Sequence, residues 1–289
     1  MKRVIPVLVI TLACGGKTPP AEEPDEPARG GVFADKKDFE PTSFEVEVVG
    51  QGRPIIFIPG LGCPGEVWDA TAAHLEDKGF ESHILTLAGF AGRPPIDKPI
   101  SATVRKELTR YIQSRRLERP VIVGHSMGGF IAFWIAVNFP ENTGPVIIVD
   151  AGPGLSGDLT EAKQLREKWR DASDEEFSRQ ARFMYQGMAR NKKALAPIAA
   201  KAAKSNRKAL GDAIYEMMIT NLTSEMDKIE SPVLLVLANG YYKTRIQKQV
   251  AAIADKQVTI MPTGHFVMLD DPEGFYKAVD DFLEAHPGE

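Results

Sequence analysis

Cys14 and Cys63 are the only two cysteines among 289 residues. They lie in unlike settings, so no disulfide framework is expected. The five histidines, His74, His83, His125, His265 and His286, are scattered. No Cys/His cluster has zinc spacing, and no structural metal is expected. Net charge is also scarce: 35 basic against 39 acidic side chains leave −4. That is too little to imply a nucleic-acid partner or an acidic substrate. No apolar run is long enough to span a bilayer, and no internal repeat is evident. What is present is an ordinary globular composition, 43% hydrophobic and 26% charged, in a chain able to bury one substantial core with an insertion.

Lys2 and Arg3 precede an apolar run from Val4 to Ala13 broken only by Pro6, the charge-then-hydrophobe layout of an export signal. The run ends at Cys14, and Thr11-Leu12-Ala13-Cys14-Gly15-Gly16 resembles the bacterial lipoprotein cleavage box, with Thr11 where that family usually has leucine. The resemblance implies lipidation of Cys14 as the first residue of the mature protein. The chain would then be an exported, membrane-anchored lipoprotein of the bacterial envelope; a simple secretion signal would instead make it periplasmic or secreted. Residues 15–41, after the 1–14 signal segment, are acidic and Pro-rich with few large apolar side chains, which describes a solvated tether. A lipid there would hold the fold near a membrane without spanning it.

The rest of the chain is organised around Pro120-Val-Ile-Val-Gly124-His125-Ser126-Met127-Gly128-Gly129-Phe130. Val121 to Val123 form a short β-branched run suited to a strand buried on both faces. Phe130, Ile131, Trp134, Ile135 and Val137 then recur at helical spacing. Between them Gly124, Ser126 and Gly128 mark a sharp strand-to-helix turn, whose central residue is strained and whose neighbours two before and two after must be small. Such a turn presents the serine hydroxyl at the sheet edge, in front of the unpaired N–H groups of a helix N-terminus.

Strand patterns cover Phe44–Val49, Pro54–Ile58, Ser82–Leu87, Pro145–Val149, Val233–Leu237 and Gln257–Met261. Helical spacing starts near Ser101 and again over Thr244–Ala254 and Phe275–Ala285, the last capped by Asp270 or Asp271 with Pro272 in its first turn. From about Gly154 to Glu230 the pattern is wholly helical, with Ser173 and Glu176 as a capping box and Phe177, Met184, Tyr185 and Met188 on one face. The alternation predicts an α/β fold with a mostly parallel, doubly wound sheet: core 42–153, helical cap 154–230, core 231–289.

With Gly124-His125-Ser126-Met127-Gly128-Gly129 in the nucleophile turn, the chain from about Phe44 to His286 is similar to the α/β-hydrolase family. Thr263-Gly264-His265-Phe266 follows the last strand, where that family places its catalytic histidine. The resemblance therefore implies Ser126 as nucleophile and His265 as base. The family commonly draws its acid from the loop after the strand that follows the cap, here Asn239-Gly240-Tyr241-Tyr242-Lys243, which holds none. A minority place it one strand earlier, where Asp150 stands, and the order Ser126, Asp150, His265 keeps the family's order. Pro59-Gly60-Leu61-Gly62 occupies the place of the family's His-Gly oxyanion loop, so the backbone N–H groups of Leu61 and Met127 are the implied oxyanion donors. No cofactor is implied. A serine nucleophile rather than an aspartate argues against haloalkane dehalogenase or epoxide hydrolase chemistry.

The resemblance implies a serine hydrolase, first a carboxylesterase acting on small to medium apolar esters. Amide, thioester, lactone or carbon–carbon hydrolysis on the same triad stays open, as does a non-catalytic binding module that kept the fold. Met184, Met188, Tyr185 and Met218 in the cap are candidate pocket residues, or simply the cap's own packing. Arg179 to Lys208 holds nine basic residues and no acidic one, which suits anionic lipid or a solvated helix face. No partner protein is evident.

Overall fold

The computed structural model describes residues 39–288 other than Ser156. The expectations for Cys14, the 1–14 signal segment and most of the 15–41 tether lie outside the described residues. Among the described residues seven strands form one sheet: β1 (Phe44–Gly50), β2 (Arg53–Ile58), β3 (Phe80–Leu87), β4 (Val121–His125), β5 (Val146–Val149), β6 (Val233–Ala238) and β7 (Lys256–Met261). Their order is β1-β3-β2-β4-β5-β6-β7. Only β1 runs antiparallel, against β3; all other pairs are parallel.

The central strands are continuous Val/Ile/Leu runs because helices cover both faces. Ile55 to Ile58, Val121 to Val123, Val146 to Val149 and Val233 to Leu237 are all fully or almost fully buried. The edges read differently. β1 alternates in burial, and β7 leaves Val258 and Ile260 partly exposed. Against the core faces lie α1 (Asp69–Glu76), α2 (Ile100–Arg115), α3 (Met127–Asn138), α8 (Lys243–Gln249), α9 (Val267–Asp270) and α10 (Pro272–Ala285). The chain leaves β2 toward β3 on one side and returns to β4 on the other. The carboxyl ends of β2 and β4 therefore flank a switch in strand order, where open α/β sheets place their sites.

Between β5 and β6 stand the four cap helices, α4 (Leu159–Asp171), α5 (Asp174–Met188), α6 (Lys192–Ala202) and α7 (Arg207–Ile219). Each begins on a side chain that accepts backbone N–H groups: Asp158, Ser173, Asn191 and Asn206. Ser173 makes only half of the expected box, since Glu176 accepts instead from Gln180 one turn on. Gly211 lets α7 approach α4 closely, because a Cβ there would come 2.9 Å from the Arg166 carbonyl oxygen. Glu216 of α7 ties the cap to the core by accepting from Ser101 and Ala102 at the start of α2, at 3.1 and 3.4 Å.

One helix expectation needs correction, and the structure decides another between its two alternatives. The one over Thr244–Ala254 ends at Gln249, because the chain tightens into turns there and Lys256 Nζ takes the carbonyls of Ala251 and Ile253 at 3.0 and 2.7 Å. At the last helix only Asp271 caps, accepting from Gly274; Asp270 bonds elsewhere.

Candidate active site

Ser126 sits between β4 and α3 with φ 54 and ψ −118, a strained conformation for a residue with a side chain. Its flanking glycines have no alternative. A Cβ on Gly124 would lie 2.3 Å from the Gly128 carbonyl oxygen, and one on Gly128 only 2.1 Å from that of Ile58. The nucleophile helix thus starts directly against the end of β2. Ser126 is half-buried, and its N–H donates to the Val149 carbonyl at 3.0 Å, fixing the turn to the end of β5.

Asp150 follows β5 and also has a positive φ, 45. One carboxylate oxygen accepts from the Ala238 N–H at 3.0 Å, and the other stands 2.6 Å from His265 Nδ1. Carboxylate and ring are largely buried, with side chains 14% and 25% exposed. A carboxylate only accepts, so Nδ1 carries the proton and Nε2 is left as the basic nitrogen of the neutral ring. The structure therefore brings Asp150 and His265 together and sets both beside the serine turn, since the His265 ring lies 4.6 Å from that of His125.

His125 itself points away from a base's role. Its Nε2 donates to the carbonyl of His265 at 3.0 Å, and it is almost fully buried. Burial first, and then neighbouring His265, hold its pKa well below the ordinary 6.5. It is a neutral strut for the His265 backbone.

The loop after β2 closes by a Cys63 N–H bond to the Gly60 carbonyl at 3.0 Å, with Gly62 at φ 68. Among the described residues every peptide is trans, so pinning the Gly60 carbonyl into the turn faces the Leu61 N–H the opposite way. Gly60 packs against the nucleophile: a Cβ there would be 3.3 Å from Ser126 Cβ. Met127 heads α3 and has no partner within the helix for its N–H. The segments that carry Leu61 and Met127 thus meet at Ser126. Cys63 is fully buried, and burial pushes its thiol up to about 12, which keeps it protonated and inert.

The cap residues divide. Tyr185 is 2% exposed and its hydroxyl donates to the Leu61 carbonyl at 2.5 Å. Met188 is half-buried, and its carbonyl accepts the His265 N–H at 2.7 Å. Met218 is buried against Gly157, and Met184 is half-buried against the core. Asp270, which the sequence reads as a helix cap, accepts from Gly264, Arg190 and Asn191 at 2.6, 2.8 and 2.7 Å, joining the His265 loop to the cap. Ser205 is a contact sequence reasoning missed: it accepts from Ala91 N–H and donates to the Gly62 carbonyl. No sequence signal marks it, because the contact spans 143 residues. A cleft of about 340 Å³ at the seam of cap and core is lined by Ile96, Lys98, Arg170 and Asp212 among others, and by none of the catalytic candidates. Among the described residues no group of His, Cys, Asp and Glu is placed to hold a metal ion.

A strained serine between β4 and α3, a histidine after the last strand and a carboxylate on its Nδ1 define a hydrolase of the α/β class, and the family model agrees. Residues 55–278 match that of the alpha/beta hydrolase family, and the chain belongs to it. Among its relatives, the pimeloyl-[acyl-carrier protein] methyl ester esterase of Edwardsiella ictaluri is 22% identical over 255 residues, 81% of this chain and 94% of that one. A Mycobacterium phage D29 protein named as a non-heme haloperoxidase is 28% identical over 111 residues, which cover 38% of this chain and only 40% of the phage protein. Among solved structures, the enol-lactonase of Burkholderia xenovorans LB400 superposes with a TM-score of 0.75 at 16% identity, over 83% of this chain and 96% of the lactonase. At that identity the likeness is one of fold.

Proposed function

We propose that this protein is a serine hydrolase that cleaves carboxylic esters through an acyl-enzyme on Ser126. The observation that carries the reading is the 2.6 Å approach of His265 Nδ1 to Asp150, beside a serine with φ 54. An unassisted hydroxyl is a poor nucleophile at neutral pH, and the tautomer that Asp150 selects gives it a base. Ser126 Oγ attacks the ester carbonyl carbon while His265 Nε2 takes its proton. The resulting oxyanion is met by the N–H groups of Leu61 and Met127, fixed dipoles that need no reorganisation when charge develops. Collapse breaks the acyl–oxygen bond, and His265 returns the proton to the leaving alcohol. Water, deprotonated by the same nitrogen, then releases the acid and restores Ser126. The methyl ester esterase and the enol-lactonase are named for the same bond class, which supports the ester reading. The half-buried side chains of Met184 and Met188 suit an apolar acyl group.

A fluorophosphonate probe tests this directly. Labelling of the folded protein that vanishes in Ser126→Ala is expected; a folded wild-type protein that takes no label would refute the proposal.

Export and lipidation at Cys14 are proposed from the sequence, on the apolar run ending at Thr11-Leu12-Ala13-Cys14. Mass spectrometry of the mature amino terminus decides it: a diacylglyceryl adduct on Cys14 is expected, and an unmodified residue upstream of Cys14 refutes it.

A further inference from the structure

The last turn of α5 touches both halves of the catalytic machinery. Tyr185 and Met188 are three residues apart and so share a face. The Tyr185 hydroxyl reaches the Leu61 carbonyl at 2.5 Å, and the Met188 carbonyl, one of those a helix end leaves unpaired, accepts the His265 N–H at 2.7 Å. The cap packs hard on the loop after β2. A Cβ on Gly62 would come within 2.4 Å of the Tyr185 hydroxyl and 3.3 Å of Ser205 Oγ and Leu210. Burial first, and then neighbouring Cys63, hold the Tyr185 phenol well above its ordinary range, so it stays a donor.

The loop has few other restraints. Its closing bond, Cys63 N–H to Gly60, forms in a turn whose central peptide can stand either way, and the left-handed Gly62 marks one of the two forms. That central peptide joins Leu61 to Gly62. In the form present, the Leu61 carbonyl faces the cap and meets Tyr185; the flipped form would turn it away and leave the hydroxyl facing an N–H it cannot donate to. Ser205 holds the next carbonyl, that of Gly62, at 3.2 Å.

We infer that Tyr185, assisted by Ser205, is a positioning residue for the oxyanion loop: by holding the Leu61 carbonyl it fixes the turn at Leu61, and with it the position of the neighbouring Gly60–Leu61 peptide whose N–H faces the reacting carbonyl. The inference rests on the ester hydrolase reading and adds to it a function for the cap. The cap is then a brace for the transition state as well as a wall of the substrate site.

Tyr185→Phe removes one oxygen and keeps the ring packed on Phe266, whose centroid is 6.5 Å away. With nitrophenyl acetate, kcat should fall by about tenfold or more while KM stays within about twofold, since the loss is felt only when the oxyanion forms. A trifluoromethyl ketone, which adds to Ser126 as an oxyanion-bearing hemiketal, should weaken by the same factor as kcat/KM. Ser205→Ala is the independent arm and should shift kcat in the same sense at constant KM. Turnover and ketone affinity of both variants within about twofold of wild type would overturn the inference, as would losses confined to KM. A wild-type protein inert to ester and ketone alike would sink the hydrolase reading and this inference together, whereas an active wild type matched by both variants sinks the inference alone.

Discussion

His125 Nε2 donates to the backbone carbonyl of His265 at 3.0 Å, so the residue before the serine holds the residue proposed as its base. Either protonation state could make that bond; it is burial that keeps the ring neutral, holding the His125 pKa well below 6.5. In the unfolded chain the same imidazole takes a proton near 6.5. The unfolded state therefore binds more protons below that pH. His125 contributes stability that is present above 6.5 and lost as pH falls, with a slope of at most about 1.4 kcal/mol per pH unit for the one proton. Urea unfolding between about pH 7.5 and 5.5 should show the wild type losing stability and His125→Asn losing less. Equal slopes for the two would show that His125 is not the group responsible.

Asp150 accepts from the Ala238 N–H with one oxygen and from His265 Nδ1 with the other. Asp150→Asn keeps the shape and the Ala238 bond, but its amide can present N–H to Nδ1 and favour the wrong tautomer. The expected loss is about 10³- to 10⁴-fold in kcat with the thermal midpoint little changed. Steady-state turnover of nitrophenyl acetate with parallel thermal melts reads both, and a variant with near-normal kcat would remove Asp150 from the mechanism.

The sheet was legible in the sequence because its inner strands are covered on both faces and so carry unbroken apolar runs, Ile55 to Ile58 and Val233 to Leu237 being the clearest. The serine turn was legible for a steric reason: Gly124 and Gly128 stand where any Cβ would strike backbone. What stayed hidden are contacts whose partners are remote in sequence and chemically ordinary. Nothing about Asp270 next to Asp271 says that one caps α10 while the other gathers N–H groups from the nearby His265 loop and from the cap 80 residues earlier. Tyr185 stood out by type, as an aromatic in a Met-rich cap, but its hydroxyl's place on the Leu61 carbonyl depends on how 124 residues fold back.

Asp270 also supports a prediction of its own. One carboxylate takes the Gly264 N–H from the His265 loop and the Arg190 and Asn191 N–H groups from the cap. Replacement by alanine leaves three donors without it, and loss of bonds to a charged acceptor of this kind costs about 1–3 kcal/mol. Asp270→Ala should lower stability by that order and speed amide exchange at 264 and at 190–191 together. Faster exchange confined to one of the two segments would mean that cap and loop are not joined through this side chain.

Two glycines on either side of Ser126 separate folding from catalysis. A Cβ on Gly128 would lie 2.1 Å from the Ile58 carbonyl oxygen and 2.8 Å from that of Pro59, both backbone atoms at the end of a central strand. Neither can move without disturbing β2, so Gly128→Ala should cost more than about 3 kcal/mol and reduce the yield of folded protein. A Cβ on Gly60 meets side chains instead: His125 Nδ1 at 2.8 Å and Ser126 Cβ at 3.3 Å. The 2.8 Å contact forces the buried His125 ring to shift and the 3.3 Å one presses on Ser126, so what is displaced is the serine and the strut behind His265. Gly60→Ala should therefore fold with a midpoint below that of the wild type but above that of Gly128→Ala, and lose about 10²-fold in kcat, the scale on which misplaced reacting groups are felt. Thermal melts and turnover on the same preparations test the pair; a Gly60→Ala protein that is folded and fully active would mean that the loop after β2 does not border the reacting centre.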